Sequence, residues 1–468
     1  MRLQIRLRAL SFFATSLLAC SNGATGADSG ANDASGGDAL APVDAGADSI
    51  TTLDASDGSL VDVVDAPVDA PPEVSDGASD SPTDALDADD AGDAAPSCAG
   101  NSVGGTAAVK GPSASQTDAD QTFRSLTVSL TNSDVVFVGS EGNGIFRSTN
   151  GGSQWTWLRS GLRTWGLAGS ERYAEVWDMA FDPTNANTIY AATNDAAGPT
   201  IGNYPSAIGG IYKSVDQGTT WAQVNCGFDS ARAQAVMVDS AGAVYASFGA
   251  GAPTFFPAPP KNFYDGGIYK STDGGISWKK ESAPSGFEKT SIWHLANKGG
   301  YQFAFGLVGE TGLLGPGLAV RPAGQAWALS QTPLNGVTIA HFAVASDGIN
   351  LFAVEQNAGT LRKSINRGST WTSLTGNQFN GPIAVHPVQQ SNILFASQEK
   401  LYKSTDGLAT STGTLVLTAP AAIEEIAYAP SNPLTIYVST RGLRVFKSTN
   451  GGDSFVEIVN LRATLVGP

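Results

Sequence analysis

Ser148-Thr-Asn150-Gly-Gly152-Ser-Gln-Trp155, Ser214-Val-Asp216-Gln-Gly218-Thr-Thr-Trp221 and Ser271-Thr-Asp273-Gly-Gly275-Ile-Ser-Trp278 are three spellings of one eight-residue pattern. It returns as Ser364-Ile-Asn366-Arg-Gly368-Ser-Thr-Trp371, in a shortened form as Ser404-Thr-Asp406-Gly-Leu, and as Ser448-Thr-Asn450-Gly-Gly452-Asp-Ser-Phe455. The Asp or Asn can accept backbone N–H groups across a tight turn. The Gly supplies a backbone angle that other residues resist. The Trp brings a large apolar ring and one N–H in need of a partner. Asn stands for Asp at 150, 366 and 450. A turn acceptor tolerates that exchange, whereas a general acid or a metal ligand does not. The pattern is therefore read as structural.

Outward from each box the flanks repeat as well. Gly144-Ile-Phe-Arg147, Gly210-Ile-Tyr-Lys213, Gly267-Ile-Tyr-Lys270, Leu401-Tyr-Lys403 and Val445-Phe-Lys447 precede the boxes. Upstream of these lie Val135–Val138, Thr188–Ala191, Ala243–Ala246, Asn392–Phe395 and Thr435–Val438. Such short β-branched and aromatic runs between turn residues read as strands. An innermost strand precedes them, as in Trp177–Phe181 and Ile383–Val385, and one more follows each box, which makes four per unit. Repeats of this size stack side by side to bury their faces. The box serines are 66, 57, 93, 40 and 44 residues apart. The long interval holds one further unit without a box over 288–334, with strands expected at Tyr301–Gly306 and Gly317–Arg321. The expectation is an all-β fold over residues 98–468, a single seven-bladed β-propeller of four-stranded blades.

The pattern resembles the Asp-box (BNR) motif of sortilin-type receptors, xyloglucanase-type glycoside hydrolases, sialidases and photosystem II assembly propellers. The resemblance implies that ligands meet the face opposite the boxes. Two long loops on that face, 193–209 and 248–266, carry Tyr204, Phe255, Phe256, Phe263 and Tyr264, platforms for a sugar or a protein. The lead-in loop 160–176 carries Glu171, Arg172 and Glu175. Aligned innermost strands place Arg124, Asp178, His341 and Glu425 near equivalent ring positions, where they could line the mouth of a central channel. A sialidase-like reading requires three arginines, a Tyr–Glu pair and an acidic Asp, opened by a Phe/Tyr-Arg-Ile-Pro motif; Phe123-Arg124-Ser125-Leu126 lacks the Ile and Pro. A xyloglucanase-like reading makes Glu171, Glu175, Asp178 and Glu425 candidate acids, yet that family sets its two carboxylates on two propellers and this chain has one. The reading is thus a binding propeller for a protein or glycan ligand, non-catalytic, with a glycoside hydrolase as the alternative.

The first 97 residues are of another kind. Arg2, Arg6 and Arg8 lead into an apolar run from Ala9 to Ala19 and then Cys20. This reads as a signal peptide over 1–19, too short to span a bilayer. Leu17-Leu18-Ala19-Cys20 resembles the bacterial lipobox, which implies a lipidated Cys20, a membrane anchor, and an exported protein at the outer membrane or cell surface. Residues 20–97 read as a disordered acidic linker: 21–97 hold 17 Asp, one Glu and no Lys, Arg or aromatic residue. Asp87-Ala-Asp89-Asp90-Ala-Gly92 brushes a calcium-loop pattern but has Cys98 where the bidentate Glu belongs. Of the chain's 27 basic and 43 acidic residues, 24 and 25 fall in 98–468. The folded part is therefore near neutral and carries no basic field for nucleic acid. Cys98 and Cys226 are candidates for a disulfide in an oxidising compartment. No cofactor or metal site is expected, His294, His341 and His386 being scattered, and the chain is expected to be a monomer.

Overall fold

The computed structural model describes residues 122–165, 172–194, 209–227, 232–248, 266–284, 291–308, 315–330, 334, 339–355, 359–376 and 378–461. The expected leader 1–19, the linker 20–97, Cys20 and Cys98 lie outside the described residues. The rest is all-β: seven four-stranded antiparallel sheets, each made of consecutive strands. The blades span 123–158, 175–223, 233–280, 292–329, 339–375, 383–418 and 423–460. The boxless blade forms where the long interval predicts it, with strands Tyr301–Val308 and Gly315–Pro322. A two-stranded ribbon, Thr164–Trp165 with Arg172–Tyr173, joins the first two blades.

Second strands such as Val136–Ser140, Val244–Phe248 and Ile436–Thr440 are buried along their whole length. A strand covered on both faces reads as a continuous apolar run, and these do. Innermost strands Ile339–Val344 and Ile423–Tyr428 are half-buried after their first residue, as expected of walls around a channel. The core is seven clusters, one at each junction between neighbouring blades. Phe137 and Leu158 of blade 1 meet Phe181 and Trp221 of blade 2; Phe446 of blade 7 meets Leu394 of blade 6; and Phe123 and Phe146 of blade 1 meet Tyr437 and Val445 of blade 7, closing the ring. Tyr437 Oη also donates to Ser133 O at 2.9 Å, and Lys447 Nζ lies 3.1 Å from Asp134.

Each box folds around its serine. Ser214 is buried; its hydroxyl donates to Asp216 Oδ1 at 2.7 Å and accepts Gly218 N–H at 2.7 Å. Asp216 Oδ1 in turn accepts Thr220 N–H at 2.8 Å. The same bonds form around Ser148, Ser271, Ser364 and Ser448. Gly218 has φ +82°, and a Cβ there would meet Phe137 of the preceding blade at 2.7 Å. In the shortened box Leu408 takes the glycine place at φ +61°. The left-handed conformation costs a non-glycine residue about 1–2 kcal/mol. Leu408 offsets this by burying its own side chain in the junction with blade 5 and keeps the bond to Ser404 Oγ at 3.0 Å.

The box tryptophans differ in their N–H partners. Trp155 donates to Gly152 O at 3.0 Å and Trp278 to Val224 O of the preceding blade at 2.7 Å. Trp221 Nε1 and Trp371 Nε1 are buried without a hydrogen-bond partner.

A second repeated contact couples four of the six boxes to the next. The cation just before a box reaches the next blade's box turn. Arg147 donates to Gln217 O, Lys213 to Gly274 O at 2.8 Å and Lys363 to Gly407 O at 2.6 Å. Lys403 pairs with Asp453 at 2.6 Å. The ammonium also stacks on the ring beneath it: Lys213 on Tyr190, Lys363 on Phe352, Lys447 on Tyr437. Blade 4 lacks the box and replaces the latch. Arg321 sits at the register place of the box serine, paired with Gln302. It is buried, 2.6 Å from Glu281 of blade 3, and lies over Trp327, whose Nε1 also donates to Glu281 at 3.0 Å.

The box serine is thus a buried group with both of its bonding partners in the turn. Removing one partner of a buried bond costs about 1–3 kcal/mol. Ser214→Ala is expected to lower urea-unfolding stability by that amount, whereas Val215→Ala, at an exposed position of the same turn, is expected to change it by less than about 0.5 kcal/mol.

Candidate functional site

Consecutive antiparallel strands fix which loops share a face. The box turns and the first-to-second-strand turns lie together; the starts of all innermost strands lie at the opposite face. At that opposite face six of the seven innermost strands carry the same irregularity. Register shifts occur at Phe123/Ser125, Val176/Asp178, Ala233/Ala235, Ile292/His294, Ile339/His341 and Ile423/Glu425. Each is a β-bulge, which adds one residue and re-aims side chains at a rim.

The bulges correct one expectation. Asp178, His341 and Glu425 are equivalent, each the residue just after its bulge, as are Ser125, Ala235 and His294. Arg124 is not: it lies one place earlier, on the bulge itself, with Trp177, Gln234, Trp293, Ala340 and Glu424. The bulge residues form their own ring at the channel mouth.

In blades 1 and 2 this ring is charged. Arg124 Nη2 donates to Glu141 Oε1 at 2.8 Å. Its Nε lies 3.5 Å from Glu175 Oε2, an ion contact without a hydrogen bond, and its guanidinium stands 5.1 Å from the Trp177 ring. Trp177 Nε1 donates to Glu175 Oε2 at 2.9 Å, and Thr122 Oγ1 to Glu141 Oε2 at 3.1 Å. Glu141 comes from the turn after Ser140, on which the ribbon docks through Tyr173 N–H to Gly142 O at 3.0 Å. The Glu175 and Glu141 carboxyls both face the Arg124 guanidinium. Burial first, then Glu141, raises the Glu175 carboxyl above the ordinary range, against the pull of Arg124.

Asp178 is held differently. Oδ1 accepts Met179 N–H at 2.8 Å and Oδ2 accepts Val236 N–H of blade 3 at 3.0 Å. It tethers two blades from the channel wall. Burial outweighs these two donors and, with the nearby Glu425 charge, pushes its carboxyl up to about 7. His294 lies beside the stacked rings of Phe305 and Phe342, 6.4 and 6.3 Å from their centroids. Among the described residues no three His, Cys, Asp or Glu side chains are placed to hold a metal ion.

Other candidates fall elsewhere. Glu171, Tyr204, Phe255, Phe256, Phe263 and Tyr264 lie outside the described residues, as does the side chain of Arg172. Cys226 is buried and disulfide-bonded. The sequence reading missed Glu141, Gln234 and Trp293, and it took Trp177 as a strand residue only. The signal for the last three was their shared place at the starts of innermost strands.

No family model and no curated protein matches the sequence. Solved structures similar in fold include YCF48 bound to a D1 peptide, 13% identical over 73% of this chain and 100% of that one, with a TM-score of 0.49. The GH74 xyloglucanase from Xanthomonas campestris is 15% identical over 72% of this chain and 67% of its own, at 0.41. The Dos1 propeller is 12% identical over 73% and 84%, at 0.45.

Asp178 gives a pH dependence of definite sign. Its folded value, about 7, exceeds the unfolded value of about 3.9. The favourable contribution is therefore complete below about pH 4 and is lost as pH rises through 7. Thermal melts from pH 5 to 8 are expected to show Tm falling for the wild type and a flatter slope for Asp178→Asn, which stays neutral. An unchanged slope contradicts the assignment.

Proposed function

We propose that the protein is a binding propeller carried at the cell surface by a lipidated Cys20 and an extended acidic linker, taking a protein or glycan ligand at the channel mouth opposite the box turns. The fold belongs, on this reading, with the Asp-box propellers, and Cys98 is the partner of Cys226. One observation carries the non-catalytic part: the described carboxylates at the mouth are already engaged. Glu141 and Glu175 share one guanidinium. Glycoside hydrolysis needs two carboxyls free to flank the bond to be cut, about 5–9.5 Å apart. Asp178 spends both oxygens on backbone amides.

A second reading, hydrolysis, draws support from Asp178 alone. Its carboxyl, raised to about 7 beside Glu425, has the pairing of an acid with a second carboxylate that such chemistry uses.

The two readings separate on an array of neutral glycans, acidic glycans and peptides, probed with the purified full-length protein and followed by mass spectrometry for products. Binding without new products is expected. Cleavage that disappears in Asp178→Asn or Glu175→Gln makes the protein a hydrolase, and silence on every class contradicts the binding role.

A further inference from the structure

In blade 6 the turn between the first two strands, residues 386–392, is closed by a histidine. His386 Nδ1 accepts Val388 N–H at 3.1 Å and Gln389 N–H at 2.9 Å. Three other blades carry an oxygen at the same place. Ser129 Oγ accepts Thr131 N–H at 3.4 Å, Asp182 Oδ1 accepts Thr184 N–H at 2.8 Å and Asp239 Oδ1 accepts Ala241 N–H at 2.9 Å. The backbone bears out the equivalence: Ser129, Asp239 and His386 each donate their own N–H across the turn at 2.9 Å, to Val135 O, Ala243 O and Asn392 O. A hydroxyl or a carboxylate remains an acceptor between pH 5 and 8. An imidazole accepts only while Nδ1 is bare, because the imidazolium is a donor at both nitrogens.

This turn holds both seams of its blade. Ser391 O accepts Gly407 N–H at 2.9 Å in the shortened box, next to the left-handed Leu408. Gly407 O is the acceptor that Lys363 grips from blade 5, and Gln390 Oε1 accepts Asn350 Nδ2 of blade 5 at 3.3 Å. On the other side, His386 meets the Tyr428 ring of blade 7 edge-on, with centroids 5.3 Å apart; burial raises the Tyr428 hydroxyl, which keeps its proton. Lys403, latched to Asp453 of blade 7, stands near enough for its charge to act on the imidazole. Burial first, and then this ammonium, keep the imidazole below its ordinary value. A base lowered from an unfolded value of about 6.5 contributes its stability in full above that pH and loses it as pH falls through the folded value.

We propose that His386 is an acid-sensitive clasp on blade 6: while neutral it holds the 386–392 turn, and once protonated it drops both amides, faces the Lys403 ammonium and loosens the seams with blades 5 and 7.

The test is amide hydrogen exchange of the full-length protein, followed by NMR at pH 7.5 and pH 5, with each rate divided by the intrinsic rate of its amide. Gly151 and Gln217 are the matched references, since they donate to Asp134 O and Asn187 O of turns closed by Ser129 and Asp182. They also register what acid does to the whole ring, Asp178 included. Relative to them, protection of Val388, Gln389 and Gly407 is expected to fall about tenfold or more on acidification. In His386→Asn, whose amide oxygen accepts without titrating, that relative loss is expected to vanish. Protection that stays level with Gly151 and Gln217 in the wild type overturns the clasp, as does a relative loss that persists undiminished in folded His386→Asn. The ring carbons of His386 in the wild type give a reading that needs no variant. Titration below about 6.5 is expected, and titration at or above that value overturns the clasp.

Discussion

The hydroxyl of the box serine is the constraint on which the rest of this molecule depends. It is buried, and within one turn it satisfies a glycine N–H and a carboxylate or amide oxygen. That arrangement lets the chain reverse with two successive residues at positive φ, such as Gln217 and Gly218, without leaving buried polar groups unpaired. The reversal brings the glycine against the preceding blade with no Cβ between them. In three boxes the neighbouring Arg or Lys then grips a carbonyl in the following box, and Lys403 grips its Asp453. Local turn chemistry and ring assembly are therefore one interaction seen at two scales, and it recurs because each blade faces the same packing problem.

Where the box is missing, the same job falls to different chemistry. Blade 4 spends a buried Arg321–Glu281 pair and the Trp327 ring at its junction with blade 3. At its junction with blade 5, Ser330 donates to Gly368 O. A buried ion pair is a demanding substitute, since losing either partner strands the other charge. The result concentrates the structural apparatus on one face. The opposite face carries the bulges and the ion contacts of Arg124.

The fold was legible in the sequence because a turn motif with a physical role must repeat with the blade, and six copies with a double-length gap count to seven. The cation latch was equally present, as an Arg or Lys before each box serine, but its meaning needed the neighbouring blade. The candidate site was half legible. Asp178, His341 and Glu425 were aligned correctly. Arg124 was displaced by one because a β-bulge inserts a residue without any mark in composition. Glu141 was invisible, since it enters from a turn on a separate loop and gains its role only by proximity to Arg124.

The most direct test of this account is native-state hydrogen exchange at the box glycine amides, Gly218, Gly275, Gly368 and Gly452. If the serine-centred turns hold the ring, these amides exchange only through global unfolding, with the same free energy as the slowest second-strand amides such as those of Val138 and Ala246. Exchange through local fraying, several kcal/mol below the global value while the second strands stay protected, would show that the blades are held by their apolar junctions alone.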